Sequence, residues 1–348
     1  MEALKYLVSL VNDVLDMNKL QSGELKDQQI LFDLTMVLRE LNQIYDERAA
    51  KKGIRYEVDW KNSTYSHSAL IGNPVYLGRI LSNVMDNAIK FSQADSVITV
   101  WVKEETLDDG RAFFTFYCKD QGVGMSEDFI AHAFDMFSQE SKTSRSRYEG
   151  TGLGLAITKQ LVDRMDGSIE LKSEVGVGTT VVVKIPFKIG VQDKISNSPE
   201  NNSVSLEDYS VEGMRALVVE DNELNMEIAR CILEDSGMEV TCAADGQEAV
   251  EIFGKSALDY FGVIYMDVMM PRMNGLDAAR IIREMKRRDA MRVPIIAMSA
   301  NAFAEDIINS RLAGMNVHLA KPLDAEKMIV ALKQCMADNR DVKLHEDL

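Results

Sequence analysis

Cysteine is scarce in this 348-residue chain, with four residues (Cys118, Cys231, Cys242, Cys335) and no short-spaced pair. That excludes a disulfide framework and a zinc-type ligand spacing, and reads the four as buried thiols in a reducing cytoplasm. Long apolar runs are missing too. Pieces such as Val181-Val182-Val183 and Leu217-Val218-Val219 fall far below the roughly 18 residues that cross a bilayer. The opening Met1-Glu2-Ala3-Leu4-Lys5 lacks the basic-then-apolar layout of a secretory signal. Positive charge is also short, with 39 Lys plus Arg against 55 Asp plus Glu and a net charge of −16. This balance works against general binding to nucleic acid or anionic lipid. What is present, 46% hydrophobic and 27% charged residues, is ordinary for a globular protein. At about 150 residues per domain, two domains are expected, each able to bury a core.

Residues 188–212, rich in Ser, Asn and acidic side chains, read as an interdomain linker. Before it, Leu4, Leu7, Val8, Val11, Val14 and Leu15 recur at helical spacing. They predict an amphipathic helix over 4–20 that ends at Gly23. Helical patterns follow over 34–52, 73–91 and 153–165, with strand-like stretches over 54–60, 96–103 and 112–119 and near Ile169 and Val181. Strands adjacent in sequence among helices predict a mixed sheet with helices on one face. After the linker, strands over 215–219, 239–243, 262–266, 294–298 and 317–319 each precede a helical stretch. This order predicts a doubly wound, five-stranded parallel sheet with ligands at the carboxyl ends of its strands.

The polar residues of the second half fall at those ends. Glu220 and Asp221 follow the first strand, Asp267 the third, Ser299 the fourth, and Lys321 with Pro322 the fifth. A single acidic residue so placed reads first as a solvated loop carboxylate; five residues at four strand ends read as a site. Converging carboxylates repel unless a hard cation lies between them, and Mg²⁺ suits an all-oxygen site. Lys321 and the Ser299 hydroxyl then favour dianionic phosphoryl oxygens. The motifs Glu220-Asp221-Asn222, Met266-Asp267-Val268-Met269-Met270-Pro271, Met298-Ser299-Ala300 and Leu319-Ala320-Lys321-Pro322 resemble the receiver domain of two-component signalling over about 213–337. The resemblance implies that Asp267 is the phosphoacceptor. It also implies that Asp221, Asp267 and the Met269 carbonyl bind Mg²⁺, with Glu220 acting through water. Ser299 would turn inward on phosphorylation, and Lys321 would pair with the phosphoryl group. The family often carries an aromatic switch residue three positions before the lysine; here it is His318, either a rotating switch or a plain strand residue. Asn274-Gly275 after Pro271 predicts a turn with glycine at positive φ. Met266, Met269, Met270 and Met273 read as adaptable packing.

Four motifs precede the linker. Asn83, Asn87 and Lys90 share one face of the helix over 73–91. An amide oxygen can complete a Mg²⁺ shell, and the lysine can reach a phosphate. Asp120-Gln121-Gly122-Val123-Gly124 places a carboxylate before two glycines where backbone can approach a flat base. Phe134-Asp135-Met136-Phe137 follows, its phenylalanines readable as core. Gly150-Thr151-Gly152-Leu153-Gly154 then opens a helix, which is either a plain turn or a phosphate-binding N-terminus. In this order the four resemble the ATP-binding catalytic domain of sensor histidine kinases over about 25–187. The resemblance implies that Asp120 recognises the adenine amino group, that Asn87 with Asn83 holds Mg²⁺, and that Lys90 touches phosphate. It also implies a lid over 138–149, whose Arg145 and Arg147 face the γ-phosphate or solvent. Related enzymes that activate water carry a glutamate base at the place of Asn83, so kinase-type transfer is favoured over an ATPase motor.

Residues 7–23 resemble the second helix of the kinase dimerisation hairpin, whose partner helix carries a phosphorylatable histidine. None of the four histidines, His67, His132, His318 and His345, lies in that context. The resulting division is 1–22 half a hairpin, 25–187 catalytic domain, 188–212 linker, 213–338 receiver and 339–348 charged tail. The whole reads as the C-terminal part of a cytoplasmic hybrid histidine kinase that uses ATP and Mg²⁺. It is expected not to autophosphorylate alone, to receive phosphate from a phosphohistidine donor, and to pair as a homodimer through its first helix. A second reading is a catalytically incomplete module in which ATP and phospho-Asp267 control a partner.

Overall fold

In the computed structural model the chain forms two compact units, residues 1–195 and 196–348. The structure describes residues 29–107, 109–139, 151–190, 209–300 and 303–346, with backbone alone from 338 onward. The helix expected over 4–20, Gly150, and Arg145 and Arg147 of the expected lid lie outside the described residues.

The first unit runs β1 (Ile30–Asp33), α1 (Leu34–Lys51), β2 (Arg55–Val58), β3 (Ala69–Gly72), α2 (Pro74–Phe91), β4 (Val97–Thr106) and β5 (Arg111–Lys119). It continues with α3 (Glu127–Ile130), α4 (Gly154–Arg164), β6 (Ser168–Glu174) and β7 (Gly178–Ile189). The strands form one sheet in the order β1-β3-β7-β5-β4-β2, with β6 also on β7. It is mixed, because β2 and β4 run parallel while β4, β5 and β7 alternate. Alternation makes β5 amphipathic: Ala112, Phe114, Phe116 and Cys118 are buried. Helix α1 contributes Leu34, Val37, Leu41 and Tyr45 at helical spacing, and α2 contributes Leu77, Ile80, Leu81, Val84 and Ala88. Helix α2 starts where Asn73 accepts the Tyr76 N–H (3.1 Å) with Pro74 in the first turn. Its other end is closed by the residue that follows α1, since Lys52 Nζ donates to the carbonyls of Ile89, Lys90 and Ser92 at 2.6, 2.9 and 2.8 Å. A lysine there opposes the partial negative charge of the helix end.

The second unit is β8 (Arg215–Val219), α5 (Glu223–Asp235), β9 (Glu239–Ala243), α6 (Gly246–Lys255), β10 (Val263–Asp267), α7 (Gly275–Glu284), β11 (Ile295–Ser299), α8 (Ala304–Leu312), β12 (Val317–Ala320) and α9 (Ala325–Glu346). The strand order β12-β11-β10-β8-β9 is parallel throughout. Continuous apolar strands follow from burial on both faces. Leu217, Val219, Ile264, Met266 and Ile295 pack with α6 and α7 residues such as Phe253, Ala278 and Ile282. Ala216, Val218, Tyr265, Ile296 and Met298 pack with Leu233 of α5 and Met328 and Leu332 of α9. Two arginines tie the loops that lead into the strands. Arg283 donates to the carbonyls of Gly314 (2.8 Å), Ala290 (2.6 Å) and Val293 (2.8 Å). Arg287 donates to those of Phe253 (2.5 Å) and Ala257 (3.1 Å) and pairs with Asp289.

Two expectations change. Of the four thiols only Cys118 and Cys335 are buried; Cys231 is exposed and Cys242 half-buried, because Cys231 lies on the outer face of α5. Both ends of the stretch read as a linker are structured: Ile189 and Lys188 pair with Leu70 and Ile71, and Val211 packs into the second core. Among the described residues no helix is long and apolar enough to cross a membrane.

Candidate functional site

Strand order in the second unit reverses between β8 and β10, and such a switch point opens a crevice at the carboxyl ends of a parallel sheet. Glu220, Asp221 and Asp267 meet there, each offering an oxygen within 4.8 Å of the others. Glu220 and Asp267 are buried, and Asp221 is exposed. Lys321 Nζ bridges the buried pair at 2.6 Å to Glu220 Oε2 and 2.6 Å to Asp267 Oδ2. Burial opposes charge on Lys321, but the hydrogen bonds and charges of Asp267 and Glu220 outweigh it and hold the ammonium above the usual lysine value. The remaining oxygens are also fixed. Asn225 Nδ2 donates to Glu220 Oε1 at 2.9 Å, and the Met269 N–H donates to Asp267 Oδ1 at 3.1 Å. Three carboxylates against one ammonium leave an excess of two negative charges. The hard oxygen donors and this excess fit one divalent cation.

The loop after Asp267 is built differently from the predicted turn. Positive φ falls on Arg272 (64°), not on Gly275. Gly275 is required for close approach, since a Cβ there would lie 2.0 Å from the Asp267 carbonyl oxygen. Asn274 caps α7 by accepting the Asp277 N–H at 2.9 Å. Arg272 pairs with Asp245, which also caps α6 through the Glu248 N–H at 2.9 Å. The Met269 side chain is 76% exposed, unlike a packing residue, whereas Met266 is buried.

Ser299 closes β11, and its hydroxyl lies 2.8 Å from His318 Nε2. The imidazole is half-buried and inserted, with Nδ1 3.1 Å from Ser310 Oγ on α8.

In the first unit Asp120 follows β5 directly and is buried. Its Oδ1 accepts the N–H groups of Gly122 (2.8 Å) and Thr179 (3.2 Å). Burial raises the Asp120 carboxyl above the usual aspartate value against those two N–H bonds. Oδ2 has no protein donor among the described residues, so it can accept from a ligand's amino group. Gly122 approaches Asp120 and Phe91 closely, and a Cβ there would meet the Asp120 carboxyl and the Phe91 carbonyl, each at 2.8 Å. Gly124 turns at φ 68°. Sequence reasoning passed over Gly178-Thr179, which brings the second N–H to Asp120; the succession of glycines at 176 and 178 was the available clue.

Asn83, Asn87 and Lys90 all lie on the half-buried stripe of α2. The Asn83 amide nitrogen donates to Gly154 O (3.3 Å) and Thr158 Oγ1 (3.2 Å), so Asn83 joins α2 to the first turn of α4. The space beside Gly154 is open, with no atom within 4 Å of a Cβ there. Gly152, at φ 70°, packs against the backbone of Phe137. Phe134 is half-buried and Phe137 is 64% exposed, which departs from a core role.

Residues 72–189 match the family model described as "Histidine kinase-, DNA gyrase B-, and HSP90-like ATPase", and residues 216–333 match "Response regulator receiver domain". The chain is 29% identical over 320 residues to the autoinducer 2 sensor kinase/phosphatase LuxQ of Vibrio harveyi, covering 92% of this chain and 36% of LuxQ. It is 29% identical over 331 residues to the aerobic respiration control sensor protein ArcB of Escherichia coli, covering 94% of this chain and 40% of ArcB. It therefore spans well under half of either relative. The fold resembles that of full-length ShkA, crystallised with AMPPNP, at a TM-score of 0.50 and 22% identity over 96% of this chain and 90% of that one. Residues 72–189 are thus a histidine-kinase-type ATP-binding domain and residues 216–333 a response-regulator receiver domain, the pairing that forms the C-terminal part of hybrid sensor kinases.

Proposed function

We propose that this chain binds ATP with Mg²⁺ for transfer to a histidine other than its own four, and that Asp267 accepts the phosphoryl group in a relay. The observation that carries the reading is the meeting of Glu220, Asp221 and Asp267 around Lys321 at the sheet's switch point. A carboxylate oxygen of Asp267 attacks the phosphorus of a phosphohistidine; the O–P bond forms, the P–N bond breaks with its electron pair going to the ring nitrogen, and that nitrogen takes a proton from solvent. Lys321 moves from carboxylate partner to phosphoryl partner, and the Ser299 hydroxyl donates to a phosphoryl oxygen. Asp221, Asp267, the Met269 carbonyl and, through water, Glu220 would hold Mg²⁺, which would supply charge neutralisation at the phosphoryl group. In the first unit Asp120 takes the adenine amino group, while Gly122, Gly124 and Thr179 shape the base site. Asn87 with Asn83 serves Mg²⁺, Lys90 serves phosphate, and Gly150, Gly152 and Gly154 serve the phosphate-facing turn. The three histidines with described side chains are engaged elsewhere, His67 with Glu104, His132 with Asp135 and His318 with Ser299. This supports a donor outside them. The apolar spacing over 4–20 supports pairing of two copies.

Incubation with Mg²⁺ and acetyl phosphate or a phosphohistidine donor is expected to give an acid-stable, hydroxylamine-labile adduct. The adduct should be lost in Asp267→Asn, and ATP alone should label no histidine. Labelling that persists in Asp267→Asn overturns the assignment.

A further inference from the structure

His318 stands where the receiver family often has an aromatic residue, and its two ring nitrogens are both engaged. Ser310 is buried, and its hydroxyl donates to the Asp306 carbonyl at 2.7 Å, one helical turn back on α8. Its oxygen therefore faces His318 Nδ1 (3.1 Å) as an acceptor. The hydrogen-bond network thus assigns the proton of the neutral ring to Nδ1 and leaves Nε2 as an acceptor. The partner at Nε2 is Ser299 Oγ at 2.8 Å, so the serine donates. The chain is directional throughout: Ser299 to His318, His318 to Ser310, Ser310 to the carbonyl of Asp306.

Ser299 has one hydroxyl proton. It is 4% exposed, and it follows Met298, the residue that pairs in register with Asp267. A phosphoryl oxygen on Asp267 and Nε2 of His318 therefore compete for the same proton. An inserted phenyl ring offers no such acceptor. We infer that His318 is a positioning residue which, through Ser299, sets how tightly the phosphoryl group is held at Asp267, its Nε2 restraining the Ser299 hydroxyl. The inference rests on Asp267 being the phosphoacceptor and goes beyond a rotating side chain. The imidazole acts from its inserted position by withholding a hydrogen bond.

The test uses the full chain with Mg²⁺ and beryllofluoride, a phosphoryl mimic that binds a carboxylate. His318→Phe removes the competing acceptor and should tighten beryllofluoride binding about three- to tenfold, the worth of one net hydrogen bond. His318→Gln keeps an acceptor and should stay within about twofold of wild type. In a Ser299→Ala background His318→Phe should have no effect, because the double-mutant cycle then lacks the shared proton. In the ¹⁵N-histidine spectrum, with the His318 signal assigned by its loss in His318→Phe, Nε2 should shift on beryllofluoride addition toward the position of a nitrogen with no donor partner. Equal tightening in Phe and Gln variants, tightening that persists without the Ser299 hydroxyl, or an unmoved Nε2 signal each overturns the inference. Equal beryllofluoride binding by wild type and Asp267→Asn overturns instead the phosphoacceptor reading on which it rests.

Discussion

Glu104 on β4 shows how much one side chain can hold. Its Oε2 accepts the N–H groups of Ser66 (2.6 Å) and His67 (3.1 Å), and its Oε1 accepts the Thr106 hydroxyl (3.0 Å) and meets His67 Nδ1. Burial opposes its charge, yet these hydrogen bonds win and hold its carboxyl down to about 2, from an ordinary 4.5. A carboxyl held below its unfolded value adds stability that is present above pH 4.5 and lost as pH falls toward 2. Glu104→Gln should therefore cost about 1–2 kcal/mol at neutral pH. Urea titrations of both proteins at pH 7 and pH 3 should show the gap narrowing in acid; an equal gap at both would locate the loss outside the carboxylate charge. Nothing in the sequence marks Glu104, because its donors other than Thr106 come from a loop nearly forty residues earlier. Asp120, Asp221 and Asp267 were legible for the opposite reason: each ends or follows an apolar strand, where a carboxylate has no packing role. The role of Gly275 was misread because sequence shows that glycine is small but not whether a torsion or a neighbour requires it.

Helix α2 depends on the residue that caps another helix. Lys52 closes its carbonyl end, and burial lowers the Lys52 ammonium below its usual value. Lys52→Met keeps the stem and removes the donors. It should cost about 1–2 kcal/mol and, because α2 presents Asn87 and Lys90 from its last turns, weaken binding of an ATP analogue several-fold. Thermal melts and calorimetric titration check the two parts. A stability loss with unchanged nucleotide affinity would make the cap structural only. Long elements such as α2 and β5 were legible through several repeats of their burial period. Strands β1 and β3, four residues each, hold two alternations apiece and are completed only by pairing across some forty residues. That is a tertiary condition no local pattern carries.

At the scale of the molecule, two separate cores imply two separately addressable stabilities. A nucleotide with Mg²⁺ should raise the melting of the unit that holds Asp120, and beryllofluoride with Mg²⁺ that of the unit that holds Asp267. Each should contribute about 2.7 kcal/mol at a hundredfold excess over its dissociation constant. Scanning calorimetry with each ligand, repeated on Asp120→Asn and Asp267→Asn, checks the pairing; a ligand whose effect survives loss of its own aspartate sinks it. The receiver sheet adds an asymmetry of its own. All five strands run one way, so the reacting groups gather at one end while Arg283 and Arg287 bind the opposite loops together. Those loops form a fixed base, and a pair of probes with one member anchored there reads displacement of the phosphoacceptor end alone.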